Sequence, residues 1–353
     1  MKTARRCIVT GANGFIGSNV VRSLMREGYE VTALVGPGVG LENLEGLNVE
    51  IREFDLLDRK GLRDALTGGT HLIHTAANYS FWYPDPYLAY RVNVEGTRNV
   101  MEAARDFGFE RIVHTSSTAT LSPFARELGE GTETLGDEER ILNLSRFGGY
   151  YKHSKIMADM LVARFAACGL PVVTVLPTIV LGEGDRRPTP TGSMIVHFIN
   201  RRMKAYVEMP QNLVHVGDAS DGHVRALERG RNGHRYILGG DDLDMRSVVR
   251  ILAEITGIPA PRIVLPQKLF RVLAVAEDWL ARSVFPHEPL FPLEAALHAR
   301  DSERFCTDKA RKELGFQPRP AEVVLRRAVA WFIADGHCKN RLTRKAIQAR
   351  LNL

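Results

Sequence analysis

The sequence predicts an α/β protein, with a doubly wound parallel sheet followed by a smaller C-terminal cap. Three observations predict it: short apolar strands alternate with helical stretches through the first half, a glycine-rich turn joins the first strand to the first helix, and the alternation loosens after Gly182. Apolar runs place strands near residues 7–10, 30–35, 49–54, 71–75 and 111–115. Apolar residues at helical spacing place helices over 16–27 and 89–107, with Gly28 and Gly108 positioned to stop them. A sixth strand is expected over 171–176. Beyond Gly182 come a Pro-rich loop, a helix around 193–202, short strands at 205–208 and 213–216, and a final run of helices. The expected division is a dinucleotide-binding domain over 1–181, to which segments such as 213–240 return, a cap mainly over 182–335 and a basic tail over 336–353.

With 353 residues the chain can bury a large core, and 44% apolar and 25% charged residues are ordinary for a globular protein. The start, MKTARRCIVTG, runs from basic residues straight into a short apolar strand, without a long apolar stretch or a small-residue cleavage site. The closest approach to a membrane span, residues 265–285, contains Lys268, Arg271, Glu277, Asp278 and Arg282. A cytoplasmic location is therefore expected. Cys7, Cys168, Cys306 and Cys338 are far apart and form no ligand spacing, so neither a disulfide framework nor a metal site is predicted. The net charge of +6 is concentrated in residues 336–353, where Lys339, Arg341, Arg344, Lys345 and Arg350 stand without an acid; removing them leaves +1. That tail reads as a solvated or frayed terminus, with weak contact to a membrane surface or an acidic partner as the alternative; nucleic acid is not expected.

In TGANGFIG, Gly11, Gly14 and Gly17 lie between strand and helix. Missing side chains there permit a tight turn and let backbone N–H groups, those of Phe15 and Ile16 included, approach a pyrophosphate at the helix N-terminus. The spacing is GxxGxxG, and the fold implied is Rossmann-type. Asp55 and Leu56 end the third strand, where the carboxylate could receive an adenine amine; a plain surface Asp is the other reading. At the end of the second strand Gly36 occupies the place where an acid would select NAD and a base NADP, so the choice between the two stays open. Further on, YKHSK places Tyr151 and Lys155 one helical turn apart. Lys155 can thereby hold positive charge beside the phenol and ease its ionisation, which makes Tyr151 a usable proton shuttle.

Together TGANGFIG, the Asp55-Leu56 pair, HTAA at 74–77, NVEGT at 93–97, TSS at 115–117 and YKHSK at 151–155 resemble the extended short-chain dehydrogenase/reductase family, of the NAD-dependent epimerase/dehydratase type. Within it, YPDPYLAYRVNVEGTRNVMEAA, RRPTPTG and NLVHVGDASDGHVRALERG are most similar to dihydroflavonol-reductase-like and hopanoid-associated sugar epimerase proteins. The resemblance implies that Tyr151 is the general acid/base, that Lys155 binds the nicotinamide ribose and lowers the Tyr pKa, and that Ser117 hydrogen-bonds the substrate oxygen. These roles also suit the chemistry, because hydride arriving at a carbonyl carbon leaves charge on oxygen that a hydroxyl donor and a proton source must meet. Ala76, Ala77, Pro177 and Val180 match cofactor-lining positions, and a homodimer through the helices around 89–107 and 151–167 is implied. The family's dehydratases follow the active hydroxyl with an Asp-Glu pair; here Thr118 and Ala119 follow Ser117, which disfavours elimination.

Substrate clues are fewer. Tyr79, Phe81, Trp82 and Tyr83 crowd the loop after HTAA, either as an aromatic rim for a ring-shaped small molecule or as packing between cap and sheet. Arg186, Arg187, Arg201 and Arg202 flank the cap helix and either clamp a diphosphate or are solvated. Asn93 is expected to brace two strands, and His114 and His215 to be core residues. The apolar positions of 269–280, with Phe270, Leu273, Ala276 and Trp279, read more often as a core-facing helix than as a bilayer or substrate contact. The expected activity is NAD(P)-dependent interconversion of a secondary alcohol and a ketone on a cyclic apolar metabolite, with a nucleotide-sugar epimerase as the alternative. A cofactor-sensing regulator without chemistry would be expected to lack Tyr151 or Lys155.

Overall fold

The first six strands are β1 (Arg6–Thr10), β2 (Glu30–Val35), β3 (Glu50–Glu53), β4 (His71–His74), β5 (Arg111–Thr115) and β6 (Val172–Pro177); β-branched and apolar residues dominate β1, β2, β5 and β6, whereas the edge strand β3 is mostly charged. The computed structural model describes residues 5–85, 87–121, 135–140, 148–284, 287, 289, 292–301 and 304–352. The first four residues and Leu353, parts of the predicted basic start and tail, lie outside the described residues. Three short strands follow, β7 (Ile179–Leu181), β8 (Ala205–Tyr206) and β9 (Pro210–His215); then come β10 (Arg235–Leu238), β11 (Asp241–Asp244) and β12 (Ile263–Val264). The central sheet has the order β10-β6-β5-β4-β1-β2-β3, with every pair parallel. β6 is buried along its whole length, as a strand covered on both faces must be.

The helices are α1 (Phe15–Arg26), α2 (Arg59–Ala65), α3 (Tyr87–Tyr90), α4 (Thr97–Phe107), α5 (Tyr150–Ala167), α6 (Pro190–Ile199), α7 (Val216–Arg229), α8 (Met245–Thr256), α9 (Gln267–Ser283), α10 (Leu293–Asp301), α11 (Ala321–Ala334) and α12 (Arg341–Leu351). One core joins the sheet to α1 and α7, through Val20, Leu24, Val224 and Leu227, and another joins it to α2, α4 and α5, through Leu62, Met101 and Val162. A separate core gathers Ile195 and Phe198 of α6, Leu252 of α8 and Phe332 of α11. Around it lie a three-stranded sheet, β11-β9-β7, and the β12-β8 pair.

Four local readings change. The expected helix over 89–107 is interrupted by a π-helical stretch at Arg91–Gly96, where Asn93 turns inward and Gly96 faces Leu56, whose Cβ would lie 3.1 Å from an added methyl. The strand expected at 213–216 begins three residues earlier, and Val216 opens α7 instead. The tail is not frayed: α12 inserts Ile347 into the third core, and Arg350 donates to the Glu254 carbonyl at 2.9 Å. α9 is not core-facing, because it buries Ala274 and Ala281 and presents Val272, Val275 and Trp279 outward. Polar contacts make that orientation possible: Arg282 bonds Asp278 at 2.9 Å and the Tyr83 carbonyl at 3.3 Å on the inner side. No helix among the described residues is long and apolar enough to cross a membrane.

Candidate active site

The strand order reverses between β1 and β4, and the loops leaving these two strands form the crevice where a dinucleotide binds in such sheets. Gly11, at φ +67°, lies against Ala76, and a Cβ there would stand 2.7 Å from the Ala76 Cα. A Cβ on Gly17 would stand 2.1 Å from the Gly11 carbonyl oxygen, so the first turn of α1 rests directly on the glycine turn. Gly14 is the N-cap residue of α1, and no side chain caps this end, which leaves the first N–H groups, at Phe15 and Ile16, facing the crevice. This cradle, open to an anion and closed to side chains, fits the diphosphate of a dinucleotide. Asn43 holds it in place by donating to the carbonyls of Asn13 at 3.1 Å and Gly184 at 2.9 Å.

The remaining predicted cofactor positions follow β3 and β4, end β6 or lie in β7. Ala76 N–H donates to Thr10 Oγ1 at 3.3 Å, with Ala77 next in the chain, and Pro177 ends β6 with its carbonyl 3.4 Å from Thr118 Oγ1. Val180 is buried in β7. Asp55 is exposed and accepts from the Leu57 N–H at 2.9 Å, while the Leu56 carbonyl accepts from Asn99 at 2.8 Å.

Tyr151 and Lys155 lie one turn apart on α5. Lys155 is 3% exposed and donates from Nζ to the Thr115 carbonyl at the end of β5, 2.8 Å away. Ser117 follows that strand as the N-cap residue of a 3₁₀ turn, and its hydroxyl engages the Tyr151 hydroxyl. Their neighbours face elsewhere: Ser116 is buried against Asp159, and the Tyr150 ring lies 6.5 Å from that of Tyr90. Burial pushes the Tyr151 hydroxyl up to about 12, against the downward pull of the Ser117 hydrogen bond. That direction is opposite to the one expected from Lys155: burial dominates, and the Glu294 and Asp159 carboxylates push the same way. Burial also lowers Lys155 to about 8, with Asp159 opposing the shift.

Asp159, one turn beyond Lys155, is a residue that motif reading passed over. Its carboxylate accepts from Thr120 Oγ1 at 2.9 Å and Arg235 at 3.0 Å, and lies 3.5 Å from His114. Burial would raise this carboxyl, but His114 and Arg235 hold it below its ordinary range. Thr120 also contacts the Ser117 carbonyl at 2.9 Å, so one buried carboxylate ties the serine turn, the lysine helix and β10 together. Asp159→Asn removes the charge that opposes deprotonation of Lys155. The alkaline limb of the kcat/KM profile is expected to move to lower pH, and urea unfolding to show about 3–5 kcal/mol less stability, as when one partner of a buried pair is lost.

Glu294 was equally invisible in the sequence. It arrives from α10, more than a hundred residues downstream, and accepts from the N–H groups of Tyr150 and Tyr151, the latter at 3.2 Å from each carboxylate oxygen. The cap is needed because the N-cap residue of α5 is Gly149, which has no side chain and sits at φ +105°. Burial raises Glu294 to about 7 against those two hydrogen bonds.

The aromatic loop divides between its two readings. Tyr79 places its ring 4.7 Å from the Tyr151 ring, and Phe81 lies edge-on to Tyr79 at 5.7 Å. Tyr83 is buried, with its hydroxyl accepting from Ser80 N–H at 3.1 Å, so it packs the loop; Trp82 lines a 60 Å³ cavity with Tyr150 and Glu294. Asn93 does brace, though not two strands: it holds Asn78 of this loop through both side-chain atoms and reaches Ser154 of α5 at 2.9 Å. His114 and His215 are buried, as expected. The four arginines do not converge, because Arg186 and Arg187 precede α6 while Arg201 and Arg202 follow it, about 15 Å along its axis. Arg186 pairs with Asp335 at 2.8 Å.

The family model described as the NAD dependent epimerase/dehydratase family matches residues 7–239. The chain belongs to this family. It is thus an NAD-dependent oxidoreductase of the extended short-chain dehydrogenase/reductase type, and the glycine cradle fits the family's cofactor. A family relative from Methylococcus capsulatus, named sterol demethylase protein B, is 33% identical over 93% of this chain and 98% of its own length. A 4-hydroxy-2-methyl-3-oxo-4-farnesyl-3,4-dihydroquinoline-1-oxide ketoreductase from Stigmatella aurantiaca is 30% identical over 89% of this chain and 92% of its own. Among solved structures, PA4631, described as a nucleoside-diphosphate-sugar epimerase from Pseudomonas aeruginosa, superposes with a TM-score of 0.79 at 28% identity, covering 95% of this chain and 99% of that one.

Proposed function

We propose that the protein interconverts a secondary alcohol and a ketone on a cyclic, apolar metabolite of terpenoid, steroid or flavonoid-like type. The observation that carries this reading is the Tyr79 ring packed 4.7 Å from Tyr151, which puts an aromatic wall beside the reacting oxygen. The names of the Methylococcus and Stigmatella relatives, a sterol protein and a farnesyl-quinoline ketoreductase, support an apolar ring. When bound, NAD or its phosphorylated form accepts or supplies the hydride at the carbon. Tyr151 moves the proton at the substrate oxygen, Ser117 donates a hydrogen bond to that oxygen, and Lys155 keeps positive charge beneath them. Gly11, Gly14, Phe15, Ile16, Gly17, Ala76 and Ala77 line the cofactor, with Asp55 and Leu56 toward the adenine and Pro177 and Val180 toward the nicotinamide. Residues 1–181, with segments such as 213–240, form the dinucleotide domain and 182–335 mainly the substrate cap; two copies pair through α4 and α5, where Phe107, Met157 and Met160 are exposed.

The test is reduction of a panel of cyclic terpenoid, steroid and flavonoid ketones with NADH and NADPH. Turnover of at least one, abolished by Tyr151→Phe, is the expected result. The likeness to PA4631 favours one other reading, a nucleotide-sugar epimerase that returns the hydride to its substrate. Copurified NAD, epimerisation of a nucleotide sugar and no ketone turnover across the panel would establish it instead.

A further inference from the structure

We propose that the outward face of α9, with β12 just ahead of it, is a docking surface for an anionic lipid bilayer. This goes beyond the oxidoreductase reading and holds whichever substrate is turned over.

The face is apolar where solvent should select polar residues. Val272 is 64% exposed, Trp279 63%, Val275 52% and Leu269 46%, and β12 adds Ile263 at 58% and Val264 at 42%. Residues 269, 272, 276 and 279 recur at helical spacing, so they form one stripe along α9. A contiguous exposed stripe of this kind marks an interaction site more often than scattered surface residues do.

Charge identifies the occupant. Across residues 262–284 the two acids, Glu277 and Asp278, lie on the inner side of the helix, whereas Arg262, Lys268 and Arg271 are exposed and basic. Glu208, whose carbonyl receives Gln267 at 3.1 Å, has its carboxylate 3.8 Å from Arg246. A pocket of about 260 Å³ lined by Arg201, Lys204 and Pro261 lies beside β12, since Ile263 pairs with Ala205. Among the described residues of α9 and β12, two copies of this face would set Lys268 and Arg271 against their counterparts with no outward acid on either element. A bilayer containing anionic lipid supplies both halves of the complement, an acyl boundary for Val272 and Trp279 and phosphates for the cations. Because no described helix can cross a membrane, α9 lies along the surface.

The position is functionally apt. Arg282, on the inner side of α9, donates to the Tyr83 carbonyl at 3.3 Å, so the docking helix touches the aromatic loop beside Tyr151.

The experiment is sedimentation of the full chain with vesicles of phosphatidylcholine mixed with phosphatidylglycerol, and with vesicles of phosphatidylcholine alone. The expected result is binding to the mixed vesicles only, with a blue shift of tryptophan emission. Val272→Glu with Trp279→Glu, and separately Lys268→Glu with Arg271→Glu, should each weaken binding about tenfold or more, the latter also flattening the salt dependence. Circular dichroism and Tm identify any variant that fails to fold; a single Val272→Ser then replaces it. Absence of binding, equal binding to neutral vesicles, or binding unchanged in folded variants would overturn the proposal. So would a wild-type dimer that Val272→Glu dissociates while vesicle binding is absent, which would make the face an interface between copies.

Discussion

Tyr151→Phe is expected to lower kcat by about 10²–10⁴-fold, the range that a positioned proton donor contributes. The phenyl ring keeps its packing against Tyr79, and the glycine cradle is untouched, so affinity for the dinucleotide should stay near that of the unaltered protein. Steady-state kinetics beside cofactor titration separates the two quantities; a parallel loss of both would point to misfolding. The pH dependence is a second readout. With its hydroxyl pushed up to about 12, Tyr151 is protonated through the neutral range, so ketone reduction should be flat where alcohol oxidation, which needs the base form, rises with pH. Ser117 is the group whose hydrogen bond works in the opposite direction, and Ser117→Ala should steepen the contrast.

Gly17→Ala is the other change expected to have a large effect. The new methyl would meet the Gly11 carbonyl oxygen at 2.1 Å and carbon at 2.8 Å, both backbone atoms that cannot rotate away. Overpacking of this sort costs about 1–3 kcal/mol, and relief requires α1 to move off the turn that it rests on. Cofactor affinity should therefore fall together with stability, by about tenfold or more for a shift that misaligns the helix N-terminus. Gly36→Ala is the comparison, since a methyl there meets only Val39 at an ordinary 3.6 Å and should change stability by less than about 0.5 kcal/mol. Thermal unfolding with and without NAD measures both effects. An equal response of the two variants would sink the close-packing argument.

Much of the fold could be read from local pattern because local pattern is what forms it. Strands β1 to β6 fall close to their apolar runs, and Gly28 and Gly108 both adopt the positive φ that ends a helix. The glycine turn and the Tyr151–Lys155 pair were legible for the same reason, since each acts within one turn of chain. Other features depend on partners far away. Asn93, inside the π-helical stretch, bonds both Asn78 and Ser154, partners that lie 15 and 61 residues away. α9 has a pattern that serves equally for facing a core or facing outward, and Arg282 settles the matter through Asp278 and the Tyr83 carbonyl.

Sequence alone determined the parallel α/β class and the family, and it singled out Tyr151 and Lys155 as the candidates for proton transfer, because spacing within strands and turns is local to the chain. Only the tertiary structure decided what surrounds them. It brought Glu294 onto the uncapped N-terminus of the tyrosine helix and Asp159 beneath Lys155, and it set Tyr79 against Tyr151. Burial shifts a pKa according to everything packed around the group, and that surrounding shell comes from segments scattered along the whole chain.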